Sequence, residues 1–109
     1  MTNYLFIESR DPFESRDTAF VVETARALKE RGHEVTVFLV QNGVLGTRRD
    51  ARDSYLTSLL QVGVRLLADD FSLQERGIET AALRPGVRPT SIDAVVTALA
   101  TEQTKAIWH

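Results

Sequence analysis

Apolar and polar positions follow two rhythms along this chain, and the switches between them set out its elements. Tyr4-Leu5-Phe6-Ile7 is a short run of aromatic and branched residues, which favours a strand. A polar loop follows from Glu8 to Asp17, with Pro12 inside it, and Ser15 or Asp17 is placed to cap a helix. Phe20, Val21, Ala25 and Leu28 then recur at helical spacing, with Arg26, Lys29 and Glu30 on the wet side. Gly32 ends that helix at a position suited to a left-handed conformation. Val35 to Val40 is almost continuously apolar, as expected of a parallel strand covered on both faces.

Asn42-Gly43 and Gly46 break the chain, and a second helix is expected from about Asp50 to Gln61, burying Tyr55, Leu56, Leu59 and Leu60. Val64 to Ala68 reads as a third strand, and a short helix from about Ser72 to Arg76 stops at Gly77. Ala82-Leu83 is a weak fourth strand, bounded by the irregular Pro85-Gly86 and Pro89. Thr90 can cap a last helix with Asp93 three positions on, and Ile92, Val95, Val96 and Leu99 follow at i, i+3, i+4 and i+7. Lys105 to Trp108 reads as a terminal strand. Strand and helix alternate, which predicts a single α/β domain over residues 1–109, with a mainly parallel sheet and right-handed crossovers.

Ligands of open α/β sheets collect at the carboxyl ends of the strands. Three loops are expected there, Glu8–Asp17, Gln41–Asp50 and Asp69–Phe71. Composition narrows what they can do. The 109 residues carry a net charge of −2, which does not suit a general nucleic-acid binder. There is no cysteine, so disulfides, thiolate metal sites and persulfide carriage are excluded. No apolar run approaches the roughly 18 residues needed to span a bilayer, and Met1 to Ile7 lacks the features of a signal peptide, so a cytoplasmic protein is expected.

Asp69 and Asp70 are the densest candidate for chemistry, two carboxylates at the end of strand three. They suit a cation site or a general base, or else one of them caps the short helix that follows. Neighbouring strand residues point to opposite sides, and no His or Glu is spaced to complete a metal set, so no metal or other cofactor is expected. Asn42-Gly43-Val44, in a loop of small residues, offers backbone amides to an anion with Arg48, Arg49 and Arg52 nearby; alternatively it is a turn whose arginines pair with Asp50 and Asp53. The mixed charges of Glu8 to Asp17 suggest local surface ion pairs. His33 lies at the opposite edge and reads as structural, and His109 as a mobile last residue. Neither suggests a catalytic base, and no nucleophile elbow is visible around Ser9, Ser15 or Ser72, so no catalytic residue is assigned. Leu56, Leu59, Leu60, Tyr55 and Trp108 are open between core and oligomer surface.

Three ordered stretches carry a family resemblance. They are Asp11-Pro12 before an Ala-containing helix, Gly32-His33-Glu34-Val35-Thr36-Val37-Phe38-Leu39 running into Asn42-Gly43-Val44, and Gly63 to Ile78 with its Arg76-Gly77-Ile78 triplet. Together the chain resembles the DsrE/DsrF-like (TusD-like) sulfur-relay proteins. The resemblance implies a five-stranded three-layer α/β sandwich. It also implies assembly as a homo-oligomer, or as a hetero-oligomer with cysteine-bearing DsrE-like subunits. Many such proteins carry a persulfide-forming cysteine just after strand three, and Asp69 stands at that position here. A carboxylate holds no persulfide. The resemblance therefore implies a non-catalytic subunit or accessory protein of sulfur relay. The alternative is a binding protein for a nucleotide or anion, with Asn42, Gly43, Val44, Asp69 and Asp70 as its ligand-binding candidates.

Overall fold

The computed structural model describes residues 2–11, 18–51, 55–101 and 103–109. Five strands form one sheet: β1 (Asn3–Glu8), β2 (Glu34–Leu39), β3 (Arg65–Asp69), β4 (Val87–Thr90) and β5 (Thr104–Trp108). Their order is β4-β3-β2-β1-β5, and every pairing is parallel. The helices are α1 (Thr18–Glu30), α2 (Tyr55–Gln61), α3 (Asp70–Glu75) and α4 (Ile92–Thr101), with 3-10 helices at Gln41–Thr47 and Thr80–Ala82.

Alternation along the strands divides the core in two. Phe6, Val35, Val37, Leu39, Leu66 and Ala68 point to one face, where Val21 and Ala25 of α1, Leu56 and Leu59 of α2 and Leu73 of α3 cover them. Leu5, Ile7, Phe38 and Val40 point to the other face, where α4 contributes a single fully buried residue, Val95. The layers are thus unequal. Ile92 is 50% exposed, Val96 56% and Leu99 37%, so most of the apolar spacing that predicts α4 faces outward.

Several boundaries and one strand differ from the expectation. The fourth strand is Val87–Thr90, not Ala82-Leu83. Pro89 is tolerated because β4 is an edge strand with no neighbour demanding its missing N–H. Ala82 instead lies in a 3-10 turn, and Leu83 makes an isolated antiparallel bridge with Arg48. Thr90 ends β4 and is not the cap of α4. Ser91 takes that place, its Oγ accepting from the Ala94 N–H at 3.4 Å. Helix α2 begins at Tyr55, not Asp50, and residues 52–54 lie outside the described segments. The proposed caps Ser15 and Asp17 also lie outside them. Phe20 is 54% exposed despite its place in the helical stripe, and Trp108 is 69% exposed. Gly32 does take the left-handed conformation, with φ 87°.

Candidate functional site at the carboxyl ends of the strands

The sheet order places α1 and α2 on one face and α4 on the other, so the winding reverses between β1 and β5. That reversal opens a crevice where doubly wound sheets take ligands. Glu8 ends β1 there with a fully buried side chain. His109 follows β5 directly and is stitched to β1 by its backbone: its N–H donates to the Ile7 carbonyl at 2.8 Å, and its carbonyl accepts from the Ser9 N–H at 3.0 Å. By strand alternation the two side chains fall on the same face, and His109 Nδ1 donates to Glu8 Oε2 at 2.7 Å. The Arg10 N–H donates to the other oxygen, Oε1, at 2.8 Å. An otherwise prohibitive buried charge is thereby held by a histidine and a backbone amide.

Tyr55, the first residue of α2, points its hydroxyl into the same region. That oxygen is enclosed and has no hydrogen-bond partner among the described residues. Burial, then the negative charges of Glu8 and Asp11, hold its phenol well above the usual tyrosine range. The hydroxyl stays protonated, a donor without an acceptor among the described residues. Gly43 closes the floor. A Cβ there would stand 2.3 Å from the Glu8 carbonyl oxygen, which itself accepts from the Val40 N–H at 3.0 Å. Only a residue without a side chain lets the loop approach β1 so closely.

The second station is the end of β3. Asp69 is the N-cap of α3: its Oδ2 accepts from the Ser72 N–H at 3.1 Å and from the Ser72 hydroxyl at 2.6 Å. Ser72 Oγ accepts in turn from the Gln41 N–H at 2.9 Å, fastening the loop after β2 to the end of β3. Arg76 strengthens that junction, its Nη2 donating to Asn42 Oδ1 at 3.1 Å. Asn42 and Asp69 are thus drawn to one locality through Ser72 and Arg76. Gly43 and Val44 are buried, and Asp70 is exposed at the first turn of α3.

Four expectations change here. Glu8 is not part of a solvated loop of surface ion pairs; it is a buried strand-end residue, because the alternation that buries Phe6 carries on to position 8. His109 is anchored, not mobile. Residues 41–47 form a 3-10 helix instead of an open loop, and the Gly43 N–H is already spent on the Val40 carbonyl at 2.9 Å. Arg48 Nε donates to the Leu45 carbonyl and makes no ion pair with Asp50 among the described residues, while Arg52 and Asp53 lie outside them. His33 stacks edge-on against Tyr4 with centroids 5.2 Å apart, as suits a structural residue. Glu8, His109 and Tyr55 escaped the sequence reading as a group, since nothing along the chain shows that β5 lies beside β1. Among the described residues no three His, Asp or Glu side chains are grouped to hold a metal, and no helix is long and apolar enough to cross a membrane.

The chain was compared with known proteins. Its fold is similar to the crystal structure of the ychN protein from E. coli, with a TM-score of 0.86 and 18% identity over the whole of both chains. It is also similar to the protein of unknown function MTH1491 from Methanobacterium thermoautotrophicum, with a TM-score of 0.75 and 24% identity over 99% of this chain and 98% of that one. At these identities the likeness is one of fold. No curated protein matches the sequence. The model of the DsrE/DsrF-like family, however, matches residues 2–106, and with a parallel five-stranded α/β sheet behind it the chain belongs to that family.

Proposed function

We propose that this chain is a DsrE-like subunit of a cytoplasmic sulfur-relay assembly that does not carry sulfur itself. The observation that supports this most is the state of Asp69. At the position that the family resemblance makes reactive, the side chain is a carboxylate, and both contacts to Ser72 commit it to starting α3. With no cysteine in the chain, no other residue can form a persulfide. The exposed Ile92, Val96 and Trp108 give such a subunit apolar surface for a homologous partner.

The test is gentle purification of the tagged chain from its native host, with mass spectrometry of what accompanies it. A stoichiometric cysteine-bearing DsrE-like chain is the expected result. Recovery of this chain alone, from a host that encodes no such relative, overturns the reading.

A second reading has a specific observation behind it. The Tyr55 hydroxyl, without a partner among the described residues, stands near the Glu8–His109 pair and suits a small ligand at the β1–β5 crevice. It moves the candidate site from Asn42–Val44 and Asp69–Asp70 toward the neighbouring strand end. A thermal-shift screen of nucleotides, oxyanions and divalent metals addresses it, and stabilisation by none of them removes it.

A further inference from the structure

The open face of the sheet carries a cavity of about 650 Å³, running from Asn3, Glu34 and Arg65 at the amino ends of their strands to Pro89 and Thr90 of β4. That volume lies within the roughly 300–1,000 Å³ of small-molecule sites. Its wall is α4 through Val95 and Ala98, and its floor is the sheet through Leu5, Thr36 and Leu67. A parallel sheet ordinarily buries both faces. Here a single helix covers this one, and the remaining surface is left as a groove across β1 to β4.

Two arginines stand in the groove, and their placement is unusual. Arg65 pairs in register with Thr36, and Arg88 with Leu67, two residues further along β3. They are therefore diagonal neighbours on one face, within about 7–8 Å at the backbone. Both are exposed, and neither has an ion pair or hydrogen bond among the described residues. The groove's one carboxylate, Glu34, is 3.6 Å from Lys29 Nζ instead. Two adjacent guanidinium groups repel each other unless an anion lies between them. Their planar forks match carboxylate and phosphate oxygens, which they bind bidentately.

We infer that this groove binds an amphipathic anion, its phosphate or carboxylate head shared by Arg65 and Arg88 and its apolar body laid along Leu5, Leu67, Val95 and Ala98. The apolar wall sets it apart from a site for a bare oxyanion. The inference is independent of the sulfur-relay reading, since it uses neither Asp69 nor the missing cysteine.

Calorimetric titration of the full chain with octyl phosphate, inorganic phosphate and octyltrimethylammonium tests it, with circular dichroism to confirm that the variants fold. Octyl phosphate should bind, inorganic phosphate at least tenfold more weakly, and octyltrimethylammonium not at all. Replacing both arginines, Arg65→Gln with Arg88→Gln, should weaken octyl phosphate at least tenfold. Co-sedimentation with phosphatidic acid vesicles that the same double variant abolishes assigns the anion to a lipid surface; octyl phosphate binding without co-sedimentation assigns it to a soluble ligand. Either supports the site. Unchanged affinity in the double variant, or equal affinity for inorganic phosphate, overturns it. So does an absence of binding accompanied by a change of oligomeric state in the double variant, which makes the groove a contact between copies.

Discussion

Of the buried carboxylates Glu8, Asp11 and Asp69, the two that end strands, Glu8 and Asp69, are held in opposite ways. Asp69 is satisfied locally, by the backbone and hydroxyl of a residue three positions on. Glu8 depends on His109, 101 positions away. The first arrangement is assembled as soon as α3 forms. The second exists only when β5 has docked beside β1. Asp69 is thus part of an element's start, whereas Glu8 makes the edge strand β5 answerable for the carboxylate on its neighbour β1.

The largest separation between the two should come from removing a partner. His109→Ala leaves the buried Glu8 side chain with the Arg10 amide as its one remaining hydrogen bond among the described residues, and loss of a partner from a buried charged acceptor costs about 3 kcal/mol. Urea denaturation at pH 7 measures it. In a Glu8→Gln background, where no charge is left uncompensated, the same substitution should cost only about 1 kcal/mol. Equal losses in both backgrounds would reduce His109 to a packing residue and erase the contrast with Asp69.

Asp69→Ala should cost less, about 1 kcal/mol, the usual loss for an N-cap. Asp69→Asn should recover most of it, because Asn caps nearly as well. A loss as large as that of His109→Ala, unrelieved by Asn, would show that the charge of Asp69 matters beyond the cap. Denaturant midpoints of the two variants against the parent decide it.

The same contrast explains what could be read along the chain. Short apolar runs mark β1, β2, β3 and β5, the alternation of strand and helix marks the parallel architecture, and a cap from one of Asp69 and Asp70 is legible because capping is local. The fourth strand was hidden by Pro89, since only the sheet order reveals that β4 lies at an edge. The spacing of Ile92, Val95, Val96 and Leu99 identified a helix without revealing that α4 buries only one of them deeply. Glu8 and His109 are 101 positions apart, each a polar residue directly after an apolar run and so read as the start of solvated chain. Their meeting depends on the reversal of winding between β1 and β5, which no local pattern encodes. Arg65 and Arg88 come together for the same reason, through the register of two strands.

The smallest expected change concerns Tyr55, which stands beside Glu8 without a hydrogen-bonding role of its own among the described residues. Its phenol is held above the usual value, so the folded state keeps a proton that the unfolded chain releases near pH 10. Folding stability from this group is therefore complete below about pH 10 and falls as pH rises beyond it. Tyr55→Phe removes a buried hydroxyl that lacks an acceptor, and such a removal is close to neutral, within about 1 kcal/mol in either direction at pH 7. The variant should also lose part of the parent's decline above pH 10. Denaturation curves at pH 7 and pH 10.5 test both statements at once. A loss well above 1 kcal/mol at pH 7 would mean that the hydroxyl has a partner, placing Tyr55 with Glu8 in one satisfied network and leaving no free donor for a ligand at the β1–β5 crevice.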